Sequence, residues 1–326
     1  MFVDFHCDTL YRLVDKKIDF TERSKEGHVD LQRMKEGKVH LQVFAVFVDP
    51  TQMRKNAATM ALKMIDKMHE VIEETKEFRL ILKGEDIDKA KEKGKIGALL
   101  SIEGGEVLEG EISLLRMFYK LGVRALTLTW SLRNDLGDGV DGVKESGLTS
   151  LGKEVVKEMN RLGMIVDVSH LNEKGFWDVV ELSEKPIIAS HSNAKTLCSH
   201  RRNLTDEQIK AIAQKGGVIG INFAPQFLRD EGQATLEDVL NHINYICELV
   251  GEDYVGFGSD FDGISSTPEG LEDISHFPKI VEGLIKRGYT EEQIAKITHK
   301  NFENLIKKIL IYKQKEPWNI PRACIC

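Results

Sequence analysis

Three histidines and several acids fall where short apolar runs stop. The stretch "VDFHCDTL" (3–10) closes on His6 and Asp8, "IGALLSIEGGE" (96–106) on Glu103, "GMIVDVSH" (163–170) on His170 and "PIIASHSN" (186–193) on His191. Two more runs lead to Asn222 and, in "VGFGSDFDG" (255–263), to Asp260 and Asp262. Taken singly, each is explained by a polar turn or a hydrogen-bonded strand end. Taken together they are a poor structural cluster, because crowded carboxylates repel and lose hydration, whereas one or two divalent cations would stabilise them. Imidazole and carboxylate donors with no evident thiolate favour zinc, with manganese, iron or cobalt also compatible. Five such ligands exceed the needs of one open zinc site. Two ions about 3.5 to 4 Å apart, bridged by a carboxylate and a water, would use them all and supply a hydroxide nucleophile near neutral pH.

The elements that must position these groups alternate. Strand candidates are Val3–Phe5, Val39–Phe47, Ile96–Ile102, Ala125–Thr129, Met164–Val168, Pro186–Ala189, Val218–Phe223 and Tyr254–Phe257. Between them, helical periodicity marks Met53–Glu77, Ile112–Lys120, Gly152–Arg161, Asp206–Lys215 and Leu236–Val250, and Thr205/Gln208 and Thr290/Gln293 fit the capping-box pattern. Eight strand–helix units in a chain of 326 residues predict an α/β fold of the (β/α)8 TIM-barrel type, with a doubly wound open sheet as the alternative. In such a barrel the C-terminal strand ends carry the active site, and that is where the polar residues gather. Alternation along the first strand puts His6 and Asp8 on one side in a chelating arrangement, with Asp4 on the periodicity of His6 and Cys7 opposite. Neither Asp4 nor Cys7 is assigned a role, and Asp262 is read as structural. Lys83–Lys95 reads as a solvated helix with flanking turns. From Lys279 onward two amphipathic helices are expected to cover the outside of the barrel.

A hydrophobic content of 41% is that of an ordinary globular protein. The net charge of −7, with cations scattered among acids, argues against nucleic-acid binding. No apolar run reaches the roughly 20 residues of a membrane span, and residues 1–10 lack the features of a signal peptide, so no membrane partner and a cytoplasmic setting are expected. Cys7, Cys198, Cys247, Cys324 and Cys326 are odd in number and widely spaced, which speaks against a disulfide framework. A single metal-dependent barrel domain is expected over 1–326, with 315–326 a short C-terminal tail carrying spare thiols. A homodimer is the assembly considered.

Several of these motifs, in order, resemble the renal (membrane) dipeptidase family within the wider amidohydrolase-like barrels: "DFHCDTL", "SIEGGE", "VRALTLTW", "IVDVSH", "ASHSNA", "HRRNLTDEQI", "GINF" and "GFGSDFDGI" with "PEGLEDIS". The resemblance implies that His6 and Asp8 bind one metal, that His170 and His191 bind the other, and that Glu103 bridges them. It makes Arg202 of "HRRN" the partner of the substrate's terminal carboxylate, a task suited to a planar, permanently charged fork. Asp260 would move the proton from the attacking water to the leaving amine, and Asn222 joins Arg202 and Trp130 among substrate-contacting residues. Mammalian members carry a histidine after "LTLT" where this chain has Trp130. An indole can donate one hydrogen bond but cannot titrate, so Trp130 either donates to the substrate or shapes a different pocket.

The implied activity is zinc-dependent hydrolysis of dipeptides, with a D-amino acid at the C-terminal position left open and two divalent metal ions as cofactors. Two alternatives are retained: another amide, lactone or phosphoester hydrolase on the same dinuclear site, and a catalytically silent metal-stabilised scaffold.

Overall fold

The computed structural model describes residues 1–16, 18–51, 56–142 and 146–311. The expected tail 315–326, with Cys324 and Cys326, and the start of the helix expected over Met53–Glu77 lie outside the described residues. Nine strands are seen among the described residues: β1 (Phe2–Cys7), β2 (Val39–Phe47), β3 (Phe78–Leu80), β4 (Ile96–Glu103), β5 (Val123–Thr127), β6 (Ile165–Asp167), β7 (Ile187–Ala189), β8 (Val218–Ile221) and β9 (Val255–Phe257). All their pairings are parallel. Because β2 pairs with both β1 and β4, the eight strands other than β3 close on themselves, and the helices between them complete a (β/α)8 barrel. The unforeseen β3 pairs with the start of β4, from Phe78↔Ile96 to Leu80↔Ala98, below the point at Leu100 where β5 takes over that edge.

Side-chain alternation sorts the strands into two layers. Val3, Phe5, Leu41, Val43, Leu99, Ala125, Ile165, Ile188 and Val218 form one interior cluster. Their neighbours Phe44, Leu100, Leu126, Val166, Ile187 and Ile219 pack instead under the surrounding helices.

The first strand departs from this alternation where the site begins. Asp4 pairs with Gln42 but Cys7 pairs with Phe44, so three steps on β1 oppose two on β2. This bulge adds one residue and turns both Phe5 and His6 inward, as bulges beside active sites do. Asp4 therefore does not share the face of His6. It accepts hydrogen bonds from Gln42 Nε2 (3.0 Å), Ser259 N (2.8 Å) and Ser259 Oγ (2.7 Å), joining β1 to its two neighbours.

The C-terminal segment also differs from expectation. The helix Phe277–Lys286 is amphipathic as read, but Asn301–Ile309 does not cover the barrel's outside. It lies across the N-terminal mouth, where Phe302 stacks on Phe5 at 3.8 Å and joins the interior cluster with Leu305, Ile306 and Ile309. Gly256 makes room for it, since a Cβ there would sit 2.5 Å from the Phe302 ring. The whole apolar face of this helix fills the barrel floor, which leaves the opposite, C-terminal mouth for polar chemistry.

Glu303 on the same helix accepts hydrogen bonds from His40 Nε2 (2.5 Å) and Lys91 Nζ (2.6 Å). Although burial opposes it, these two donors hold the Glu303 carboxyl down to about 2, against an ordinary 4.5. A carboxylate depressed in the folded state contributes stability that is complete above its unfolded value and lost as pH falls through its folded one. The shift corresponds to roughly 3 kcal/mol. Glu303→Gln should therefore lower the unfolding temperature at pH 7 and flatten the loss of stability between about pH 4.5 and 2, as read by thermal denaturation across pH.

Candidate metal centre

At the C-terminal rim the five expected ligands meet around Glu103. His6 Nε2 lies 3.4 Å from Asp8 Oδ2, 3.3 Å from Glu103 Oε2 and 4.0 Å from Asp260 Oδ1. On the other side, Glu103 Oε1 is 2.9 Å from His170 Nε2 and 3.6 Å from His191 Nε2. The two imidazole Nε2 atoms are 2.8 Å apart. Glu103 thus presents one oxygen to His6 and the other to the His170–His191 pair. All five side chains are buried, while Asp260 keeps 15% of its side-chain surface exposed.

The local backbone is bent to achieve this. His170, Asp260 and Asp262 have φ of 68°, 62° and 68°, left-handed values that cost a residue other than glycine about 1–3 kcal/mol each. Hydrogen bonds hold the bends in place. Asp260 N donates to His6 O (3.1 Å) and Asp8 N to Phe261 O (2.9 Å), which laces the ends of β1 and β9 together. Asp262 stands outside the ligand set, accepting from Thr9 Oγ1, Arg12 Nη1 and His28 N, and so pins the loop after β9 in the structural role read for it.

Electrostatics divide the site in two. Burial alone would lower His6, but the charges of Glu103 and Asp8 outweigh it and hold the imidazole well above its ordinary value. Burial, reinforced by Glu103, pushes Asp8 up to about 8 and also raises Asp260. Burial alone would raise Glu103, but the neighbouring imidazoles of His6 (3.3 Å) and His170 (2.9 Å) outweigh it and hold the carboxyl well below the usual range. Burial, helped by Arg202, brings His170 down to about 4; burial with the charges of His6 and Arg202 takes His191 well below its ordinary value. The last two are therefore neutral imidazoles near pH 7, the form that ligates a metal.

The residues expected around the substrate are placed as follows. Arg202 is buried, donates from Nη2 to His191 O (3.3 Å), lies over the Phe227 ring and, among the described residues, finds no partner for Nε. Asn222 spends its amide hydrogens on Asp260 Oδ2 (2.8 Å) and His191 O (3.5 Å), while its Oδ1 accepts from Ala224 N (2.6 Å). Its visible work is orienting Asp260. Trp130 is half-buried beside the ligands, its ring 5.7 Å from Phe47 and 6.1 Å from His170. Reading by strand ends missed Asp167, Ser190 and Ser131. Ser131 Oγ lies 3.0 Å from His170 Nδ1 and Ser190 Oγ 2.7 Å from His191 Nδ1, with Asp167 behind Ser190. The acid within "IVDVSH" was the available signal for this group.

The donor set fits a divalent cation. Among the described residues, both ring nitrogens of His6 and Asp8 Oδ1 are buried without a hydrogen-bond partner, a cost of about 1–3 kcal/mol per group unless something else satisfies them. Ligating atoms of His6, Asp8 and Asp260, and of His6, Glu103 and His191, lie within 4.8 Å of one another. A (β/α)8 barrel with imidazoles and carboxylates converging at its C-terminal rim defines a metal-dependent hydrolase.

Residues 1–319 match the model of the membrane dipeptidases, peptidase family M19, and the chain belongs to that family. It is a metal-dependent dipeptidase, and the family's metallopeptidase structures imply divalent metal. A metallopeptidase from Rhodobacter sphaeroides, solved with a phosphinate mimic of the dipeptide L-Ala-D-Ala, is 32% identical with a TM-score of 0.88 over 94% of this chain and 99% of its own. The dipeptidase AC, an M19 metallopeptidase, gives the same identity and TM-score over 95% and 98%. An uncharacterized protein in the pqqA 5′ region of Klebsiella pneumoniae is 38% identical over 71% of this chain and 89% of its own length. Among the described residues no helix is long and apolar enough to cross a membrane.

Removing metal should loosen the rim and leave the floor intact. A ligand at about 1,000 times its Kd contributes about 4 kcal/mol to the folded state. Chelation should lower the melting temperature by several degrees, with faster amide exchange around Asp8, His170 and His191 and none around Phe302, and readdition of zinc should reverse both.

Proposed function

We propose that the chain hydrolyses the amide bond of dipeptides at a dinuclear centre, most naturally of zinc given its nitrogen and oxygen donors, and accepts a D-amino acid at the C-terminal position. The observation that carries the reading is Glu103, whose two oxygens address separate groups of ligands. His6 and Asp8 would hold one ion, His170 and His191 the other, and Glu103 both. Cations held there supply Lewis acidity and lower the pKa of water toward neutrality.

The remaining steps belong to the chain's own groups. Asp260, raised by burial and oriented by Asn222, accepts the proton of the attacking water and returns it to the leaving amine. Arg202, with its Nε free, pairs with the terminal carboxylate and so restricts the site to short peptides. Trp130, packed against Phe47 and His170, walls the pocket with an apolar ring in place of a titratable one. Acceptance of a D-residue is supported by the overall likeness to the Rhodobacter enzyme that was solved with an L-Ala-D-Ala mimic.

Asp260→Ala should keep its metal and lose kcat by about 100-fold or more, the upper part of the range for a positioned proton-transfer group. Full retention of activity would remove Asp260 from the proton path. Arg202→Ala should raise KM for dipeptides by about 30-fold, corresponding to roughly 2 kcal/mol for one lost partner of a charge pair, and abolish the preference for a dipeptide over its C-terminal amide. An unchanged KM and an unchanged preference would assign carboxylate recognition elsewhere.

A further inference from the structure

Below the ligands the barrel interior carries a polar layer that the reaction does not consume. Asp167, on β6, is buried and accepts four hydrogen bonds: Thr127 Oγ1 (2.6 Å) and Ser190 Oγ (2.5 Å) on Oδ2, and Ser169 N (3.0 Å) and Ser190 N (2.9 Å) on Oδ1. Ser190 in turn lies 2.7 Å from His191 Nδ1. A hydroxyl has one hydrogen, and a carboxylate can only accept. If Ser190 Oγ gives its hydrogen to Asp167, it can only accept from His191, so the imidazole must carry its hydrogen on Nδ1. The lone pair is then on Nε2, the nitrogen aimed at Glu103 Oε1 and His170 Nε2. The backbone here is held closely, since a Cβ on Gly258 would fall 1.8 Å from the Ser190 carbonyl oxygen.

We propose that Asp167 is a positioning residue which, through Ser190, locks His191 in the Nδ1–H tautomer and so presents its Nε2 lone pair to the metal. This rests on the reading of His191 as a ligand. Among the described residues, Ser131, at 3.0 Å from His170 Nδ1, has no carboxylate hydrogen-bond partner, and the lock is proposed for His191 alone. The arrangement gives two neighbouring ligands unequal preparation: one imidazole is set before metal arrives, and the other is free to turn its hydrogen toward Glu103 or toward Ser131.

Replacing Asp167 by asparagine puts an N–H donor opposite Ser190, which reverses the relay: Ser190 then donates to His191 Nδ1 and drives the ring hydrogen to Nε2. Ser190→Ala cuts the relay while keeping the backbone contacts, and serves should the buried Asp167→Asn fail to fold. Two measurements decide the matter on the full-length chain. Long-range 1H–15N spectra of the metal-free protein should show His191 as Nδ1–H in the wild type, and as Nε2–H in Asp167→Asn. Competition against a chelator for Zn2+ should show one of the bound ions weakened by about 10- to 100-fold in Ser190→Ala, the usual range for losing a partner behind a metal ligand. A wild-type His191 protonated on Nε2, or zinc affinity unchanged in Ser190→Ala while His191→Ala loses it, overturns the relay and leaves the ligand assignment standing. Zinc affinity unchanged in His191→Ala overturns both.

Discussion

Carboxylates that repel one another have been brought together with imidazoles in a space nearly closed to water, and the rest of the molecule is arranged to keep them there. Asp8, Glu103 and Asp260 surround His6, and each raises the cost of ionising its neighbours. Protons can relieve this only in part, because His6 can hold one while its two ring nitrogens and Asp8 Oδ1 stay without hydrogen bonds. Cations relieve it at once by satisfying lone pairs and charge together. The barrel supplies what such a cluster needs, namely strand ends from separate elements that converge without any one chain segment doubling back.

Holding the cluster requires strain and its compensation. The left-handed backbones of His170 and Asp260 lie at the ends of strands whose positions are set by other acids: Asp4 ties β1 to β9, Asp167 ties β5 and β6 to the segment after β7, and Asp262 ties the loop after β9 to the chain following β1. These acids accept hydrogen bonds, whereas the carboxylates above them face the imidazoles of His6, His170 and His191. The division follows depth. At the floor, Phe5 and Phe302 exclude water; a layer higher, Thr127, Asp167 and Ser190 satisfy one another; at the rim, His6, Asp8, Glu103, His170 and His191 converge beside Asp260.

Much of this could be read from the chain alone. His6, Asp8, Glu103, His170 and His191 stood out because polar residues are rare at the ends of buried parallel strands, and all five meet in the structure. The eight barrel strands were legible for the same reason, as apolar runs between helical stretches. What was not legible depended on contacts that one-dimensional patterns do not encode. The three residues of β3 are too few to show a period. The inward turn of His6 comes from a bulge relative to β2, which no alternation within β1 can reveal. The helix Asn301–Ile309 is amphipathic whether it lies on the barrel's side or across its mouth, and only Phe302 meeting Phe5 and Gly256 decides between them. Asp167 does not stand out in the sequence because its partners, Thr127 and Ser190, are far away along the chain.

The central claim is that Glu103 unites two cation sites into one centre. Metal analysis of the purified chain after equilibration with zinc, alongside Glu103→Ala, tests it most directly. The account predicts two tightly held ions per chain in the wild type and one or none in the variant, with its melting temperature in the presence of zinc falling toward that of the chelated enzyme. A wild type holding a single ion, or a variant that still holds two, would contradict it.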